Sequence, residues 1–272
     1  MNISLVDKIA FLTIIVLWSS CVHEIPFSMD SADLNTIVVE GSITNEFLNH
    51  PVYLSRLSVY EDTVRVPVTN ARVVAVTSSN DGATYYYKEV SNGLYTSVDK
   101  FVGVTGTTYY LHIEIDSIVL SANTTMQPVT PPEKIRYSQK NNGFYSIDYV
   151  ADSYVRENPA KYVLNLSWLD SHNSATLYYY SLTTMDIAQI FSPKMQTTYF
   201  PSGTQIIERK YSIDKDYENY LRSLLAETVW TGGYFDEAHG NLHTNIICDN
   251  PKVKTAGYFS ASTVYIDTLT VF

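Results

Sequence analysis

The side chains best suited to chemistry are concentrated near the C-terminus, and they are Asp236, Glu237, His239, His243 and Cys248. His239 and His243 are four residues apart, a spacing that would suit two zinc ligands on one face of a helix. Gly240 and Asn241 lie between them and disfavour a helix, so a solvated loop is the favoured interpretation. We therefore expect no metal or other cofactor, and we keep His239 and His243 as the metal-ligand candidates.

Catalytic motifs give no stronger signal. No serine stands in a G-x-S-x-G turn, and the sequence has neither a glycine-rich phosphate loop nor a calcium loop. The adjacent acids Glu61-Asp62 and Asp236-Glu237 would point apart in a strand. We therefore predict a protein that is not an enzyme. A hydrolase with a dispersed site stays as an alternative, which substitution of Asp236 or His239 would test.

Tyrosine is unusually frequent, with 23 residues against 10 phenylalanines, and it forms triplets at 85–87 and 178–180. In a strand the outer two tyrosines of a triplet share one face and the middle one points away. Packing in a core or on a sheet surface is the simplest interpretation, because tyrosine favours strands. The alternative is a surface for a ligand or partner, for which Tyr178, Tyr180 and Trp230 are the candidates.

Cys21 follows a short apolar run, Ile9 to Trp18, and two small residues, Ser19 and Ser20. The run is shorter than the roughly 20 residues that a membrane-spanning helix needs, but it has the length of a signal-peptide core. We therefore predict a lipoprotein signal peptide over residues 1–20, acyl chains such as palmitate on Cys21, and an acidic tether over 21–35. An ordinary secretory signal is the alternative.

Charge and cysteine content restrict the partners and the covalent structure. The formal net charge is −10, which argues against nucleic acid as a partner because nucleic-acid binding needs basic patches. The chain has two cysteines, so lipidation of Cys21 would leave Cys248 without a disulfide partner. Stability must then come from a packed core.

From residue 36 onward, short segments rich in β-branched and aromatic residues alternate with turn signals such as Asn80-Asp81-Gly82. Seven such segments in residues 36–127 predict an immunoglobulin-like β-sandwich. Prolines at 128–132 mark a boundary. Residues 133–272 predict a second β-rich domain with one packed amphipathic helix at about 214–229, because Tyr217, Tyr220, Leu221, Leu224 and Leu225 recur at helical spacing. The fold class is therefore mainly β.

Several short motifs occur in a familiar order: Val38 to Ile43, Pro67 to Ala71, Gly93 to Tyr95, Gly106 to Tyr109, Gly240-Asn241 and Gly257 to Phe259. In this order, following Cys21, the chain resembles a family of Bacteroidota outer-membrane lipoproteins, the domain of unknown function four-two-four-nine. The resemblance covers nearly the whole mature chain, and Glu40-Gly41 and Gly257-Tyr258-Phe259 carry over from it as structural motifs.

The resemblance implies an accessory, substrate-capturing lipoprotein in the outer membrane, because genes of this family commonly lie beside those of TonB-dependent transporters. The expected partners are the outer membrane through the lipid anchor, a TonB-dependent barrel and a small nutrient. We favour the cell surface over the periplasmic face and leave the leaflet open. A structural or adhesive surface lipoprotein is the alternative function.

Four Asp-Ser/Thr-apolar motifs resemble the O-glycosylation acceptor of Bacteroidota, and their acceptor residues would be Ser31, Thr63, Ser117 and Thr268. Attached sugars would be bulky and would lie at the surface. The motif is short, so chance recurrence in a chain rich in serine and threonine is the alternative.

Overall fold

The computed structural model describes residues 36–57, 66–140, 142–150, 159–168, 173–182, 197–228 and 242–272. Within these ranges the chain is mainly β with one helix, which confirms the predicted fold class. The strands of the first half are β1 (Ile37–Thr44), β2 (Pro51–Arg56), β3 (Val66–Pro67), β4 (Val73–Ser78), β5 (Thr84–Ser91), β6 (Leu94–Ser97), β7 (Thr108–Ile115) and β8 (Ile118–Thr125). The later elements are β9 (Arg136–Gln139), β10 (Tyr145–Tyr149), β11 (Ala160–Ser167), β12 (Ser174–Ser181), β13 (Gln205–Ser212), α1 (Lys215–Thr228), β14 (Ile247–Cys248), β15 (Thr255–Ser262) and β16 (Val264–Thr270).

The first sheet contains ten strands in the order β14-β8-β7-β4-β5-β6-β2-β1-β15, with β3 paired to β2. Strand β5 joins its two halves, because Thr84 to Tyr86 pair with β4 whereas residues from Tyr87 onward pair with β6. The two halves face each other across one apolar core, which takes side chains from both. The result is a sandwich-like arrangement.

Strand β7 shows how the sequence specifies this core. Tyr109, Leu111, Ile113 and Ile115 are buried, whereas Tyr110 and His112 on the opposite face are exposed. Apolar and polar residues alternate along this segment of the sequence, so one face of the strand packs and the other meets water.

Strand β15 comes from the C-terminal part of the chain and pairs in parallel with β1 along its whole length, from Ile37 opposite Thr255 to Thr44 opposite Ser262. The side chain of Asn245 links β15 to β8: its Nδ2 donates to the carbonyls of Asn123 and Phe259, and its Oδ1 accepts from the Phe259 amide. The Asn245 side-chain amide thus replaces the main-chain hydrogen bonds that would otherwise connect the two strands. The boundary predicted at 128–132 does not anticipate that β14 and β15 complete the first sheet.

The second sheet is antiparallel, in the order β12-β11-β13-β16. Strand β11 alternates strictly, so that Ala160, Tyr162, Leu164 and Leu166 enter a second core. That core also receives side chains from the β9–β10 pair, including Tyr137, Tyr145 and Ile147. The other face of β11 carries Lys161 and Val163.

Helix α1 begins after Asp214, whose carboxylate accepts a hydrogen bond of 2.7 Å from the Tyr217 amide. Its buried side includes Tyr220, Leu221 and Leu225, which form a third cluster with Leu182 and Tyr258. The predicted helix at about 214–229 therefore corresponds to α1, and its apolar stripe packs as expected.

The backbone conformation and close contacts of Gly257 predict that a larger residue there destabilises the protein. Its φ is +85°, and a Cβ atom there would overlap the carbonyl oxygen of Val39 in β1. Gly257→Ala should lower the free energy of unfolding by at least about 3 kcal/mol, because it combines left-handed strain with loss of the β1–β15 pairing. Denaturant unfolding of both proteins measures this.

The control is Gly106→Ala, since Gly106 has a φ of +83° but open space around its Cβ position. Left-handed strain alone should cost that variant about 1–2 kcal/mol. Equal losses in the two variants would contradict close contact between Gly257 and β1.

A carboxyl group is buried in the second sheet. Glu208 in β13 is 2% exposed, and its Oε1 has no hydrogen-bond partner within the described residues. Burial, reinforced by Asp267 and partly offset by Lys210, raises the pKa of Glu208 from 4.5 to about 7. Lys210 itself donates to Thr130 Oγ1 over 3.0 Å. The carboxyl is thus held mainly as the neutral acid below neutral pH.

The raised pKa of Glu208 predicts a pH-dependent stability. The folded protein holds a proton that the unfolded chain releases, so this contribution is full below about pH 4.5 and is lost as pH rises through about 7. Glu208→Gln mimics the protonated group. Relative to wild type, the variant should gain on the order of 3 kcal/mol between about pH 4.5 and about pH 8.

Denaturant unfolding at the two pH values measures this gain. Asp99→Asn, which removes an exposed carboxyl on the loop after β6, is the control for net charge alone. A Glu208→Gln advantage that does not change with pH would show that the carboxyl is ionised throughout this range.

Candidate functional site

A cleft of about 580 Å³ opens between the outer face of β1 and β15, the outer face of β11 and β12, and helix α1. Its most prominent lining groups are six tyrosines: Tyr53, Tyr178, Tyr180, Tyr217, Tyr220 and Tyr258. We call this space the tyrosine cleft. Its volume lies within the range of about 300–1,000 Å³ that is typical of small-molecule sites.

Strand β12 contributes tyrosines to the cleft by simple alternation. Tyr178 and Tyr180 line the cleft, whereas Tyr179 between them packs against the second core. Tyr178 is 48% exposed, so its ring is available to a ligand. The prediction that the outer two residues of this triplet share a face is therefore confirmed. Their role as a ligand surface stays a prediction.

Strand β15 and helix α1 supply a group of stacked rings. The Tyr258 ring centroid lies 4.9 Å from that of Tyr217 and 5.1 Å from that of Tyr220, at small interplanar angles. Burial raises the pKa of both Tyr217 and Tyr258. These phenols consequently stay neutral across the physiological pH range and carry no negative charge. The Tyr258 hydroxyl donates to Asp214 Oδ1 over 3.5 Å, and the stacked rings form an apolar wall of the cleft.

Lys161 projects from the central strand β11 into this aromatic environment. It pairs in register with Tyr180 on one side and with Tyr211 on the other. Its Nζ lies 6.0 Å from the ring centroid of Tyr178 and 5.8 Å from that of Tyr211. Burial lowers the pKa of the Lys161 amine. Within the described ranges the amine makes neither a hydrogen bond nor an ion pair.

A second cavity of about 300 Å³ adjoins the tyrosine cleft and shares Ser42, Lys161, Tyr178, Tyr217 and Ser260 with it. Lys161 therefore stands at the wall between the two spaces. The lining contains one other charged side chain, Glu40 in β1, which has an interaction partner of its own. The arrangement can stack a ring, donate hydroxyl hydrogen bonds and place one positive charge beside a bound molecule.

The other predicted site residues are placed as follows. Cys21, Ser31, Thr63, Trp230 and His239 lie outside the described residues. His243 is exposed and Cys248 is half-buried. In the part of the chain that the structure describes, no three His, Cys, Asp or Glu side chains lie close enough to hold a metal ion.

The two O-glycosylation candidates inside the described ranges are accessible. Ser117 is exposed in the turn between β7 and β8, next to Asp116, whose φ is +51°. Thr268 is exposed on the outermost strand β16. Both hydroxyls could therefore accept a bulky modification, and modification of either residue stays a prediction.

Residues 22–266 match the family described as Domain of unknown function (DUF4249). The chain belongs to this family. The family identity expected from the resemblance is thus confirmed, and no curated protein matches the chain.

Two of the motifs that carried the resemblance, one in β1 and one in β15, are neighbours in the fold. Glu40 and Gly41 in β1 lie directly opposite Tyr258 and Phe259 in β15. Phe259 faces the first core, whereas Tyr258 belongs to the third cluster and lines the tyrosine cleft.

Among the described residues, no helix combines the length and apolar character needed to cross a membrane.

Proposed function

We propose that this protein is a lipid-anchored outer-membrane protein that captures a small ligand in the tyrosine cleft and passes it to a TonB-dependent transporter. The observation that carries the proposal is the convergence of six tyrosines on one cleft of about 580 Å³. Ligand sites are typically concave and aromatic, with a few polar groups that orient the ligand.

The chemistry of the lining favours capture over turnover. Its reactive groups are mainly phenols and hydroxyls, and burial raises the pKa of Tyr180, Tyr217 and Tyr258. Phenols that stay neutral are suited to stacking and hydrogen bonding. The lipid anchor rests on the predicted signal peptide over residues 1–20 and on Cys21 after it. The transporter link rests on what the family resemblance implies.

One observation favours the alternative of a structural or adhesive protein. Within the described residues, strand β16 is one of the two edge strands of the second sheet, and Tyr265 and Ile266 on its two faces are both exposed. An exposed edge can pair with a strand from another chain. Concentration-dependent self-association of the soluble form, abolished by Ile266→Lys, would support this alternative.

The capture proposal predicts that protein purified from its own outer membranes carries a bound small molecule. Tyr178→Ala should weaken retention about tenfold, equivalent to about 1.4 kcal/mol, because it removes a half-exposed stacking ring without emptying a core. Native mass spectrometry before and after denaturation measures the bound mass. Tyr86→Ala is the control, since Tyr86 is 63% exposed on β5 and lies outside the cleft. Equal retention by both variants would count against the tyrosine cleft.

The membrane part of the proposal has its own test. Cys21→Ser should abolish labelling by radioactive palmitate, release the protein from the outer membrane and prevent recovery of a barrel protein after cross-linking. Cys248→Ser, which removes the remaining cysteine, should leave all three unchanged. Recovery of no barrel with wild-type protein would refute the transporter partnership.

A further inference from the structure

The surroundings of the Lys161 amine indicate the sign of the charge on a bound ligand. Lys161 belongs to β11, an inner strand of the second sheet, and its side chain lies between cross-strand tyrosines. Its Nζ faces the rings of Tyr178 and Tyr211. It lines both the tyrosine cleft and the adjoining cavity. Within the described ranges no carboxylate forms an ion pair with it, although other lysines, such as Lys140 with Asp148, do have acidic partners.

A partly buried ammonium without an anion is unfavourable, because ring faces replace only part of the hydration that the charge loses. The lowered pKa of Lys161 reports the same cost. An anion that enters the cleft would offset this cost and would be held by a charge-assisted contact. The position of Lys161 therefore favours an anionic ligand over a cationic one, even though aromatic rings alone would also suit a cation.

The other residues that line the cleft indicate the shape and the number of charges of the ligand. The exposed ring of Tyr178 suits a flat or ring-shaped molecule, and Ser42 also lines the space. Ser260 lines it too, but its hydroxyl donates to the Gly41 carbonyl. Lys161 is the single basic side chain among the residues described as lining the cleft. One ammonium matches a singly charged carboxylate better than a doubly charged phosphate, which usually recruits several donors or a guanidinium fork.

Resting on the proposed function, we propose that the tyrosine cleft binds a ring-bearing carboxylate, with the Lys161 ammonium as its counter-ion. An aromatic acid and an acidic saccharide share this chemistry. Aromatic acids would use the ring faces mainly, whereas an acidic saccharide would also use the phenol and serine hydroxyls. Titration with one acid of each kind separates the two sources.

The test is calorimetric titration of the full chain with two matched pairs. The first pair is 4-hydroxybenzoate against 4-hydroxybenzamide, and the second is galacturonate against neutral galactose, so that each acid carries one carboxylate. In at least one pair the acid should bind about tenfold tighter than its neutral counterpart. The pair that shows this preference identifies the source of the carboxylate.

Variants at Lys161 separate charge from shape. Lys161→Met should remove the preference for the acid while retaining the side-chain volume, and Lys161→Arg should keep most of it. Lys88→Met, which removes an exposed lysine on β5, should behave like wild type. With ¹⁵N-labelled lysine, the Lys161 amine should titrate below the exposed lysines, and its pKa should rise when the acid is added.

Three results overturn the inference. The first is equal binding of acid and neutral partner by wild-type protein, and the second is a preference that survives Lys161→Met. In either case, if Tyr178→Ala binds neither the acid nor its neutral partner, the capture proposal is still supported, because binding then depends on the tyrosine cleft. The third is failure of all four probes to bind. The capture proposal would then still be decided by whether protein from its own outer membranes carries a bound small molecule.

Discussion

The parallel pairing of β1 with β15 is the constraint on which the rest of the structure depends. It joins residues 37–44 to residues 255–262, and Gly257 permits the close approach to Val39 that this pairing needs. Phe259 and Ala261 on one face of β15 enter the first core, while Tyr258 on the other face packs against α1. The strand thus lies between two apolar clusters, and the tyrosine cleft forms along its outer side.

Much of the secondary structure could be predicted from local sequence. The period of two in β7 and the helical stripe of α1 are both visible in the sequence, and each places apolar side chains on one buried face. The parallel partner of β1 could not be predicted, because β15 is defined by residues more than 200 positions away. Strands β9 and β10 are short and have exposed and half-buried residues, so their pattern is weak.

The candidate site was predictable only in part, for the same reason. Tyr178 and Tyr180 follow from strand alternation in one segment. Lys161, Tyr217 and Tyr258 come from three separate elements, and nothing in the chain marks their convergence. A hint was available in β11, where a lysine occupies the face opposite the apolar residues of a central strand. The flanking strands then place Tyr178 and Tyr180 of β12 and Tyr211 of β13 around it.

We propose that the ligand binds where the two sheets and α1 meet. Amide hydrogen exchange, with and without the tighter-binding carboxylate, tests that claim most directly. We predict slower exchange in β12, β15 and the first turns of α1, since these elements carry the tyrosines, and unchanged exchange in the β7–β8 hairpin. Protection confined to the β7–β8 hairpin, or protection of no segment by a carboxylate that binds, would contradict the account.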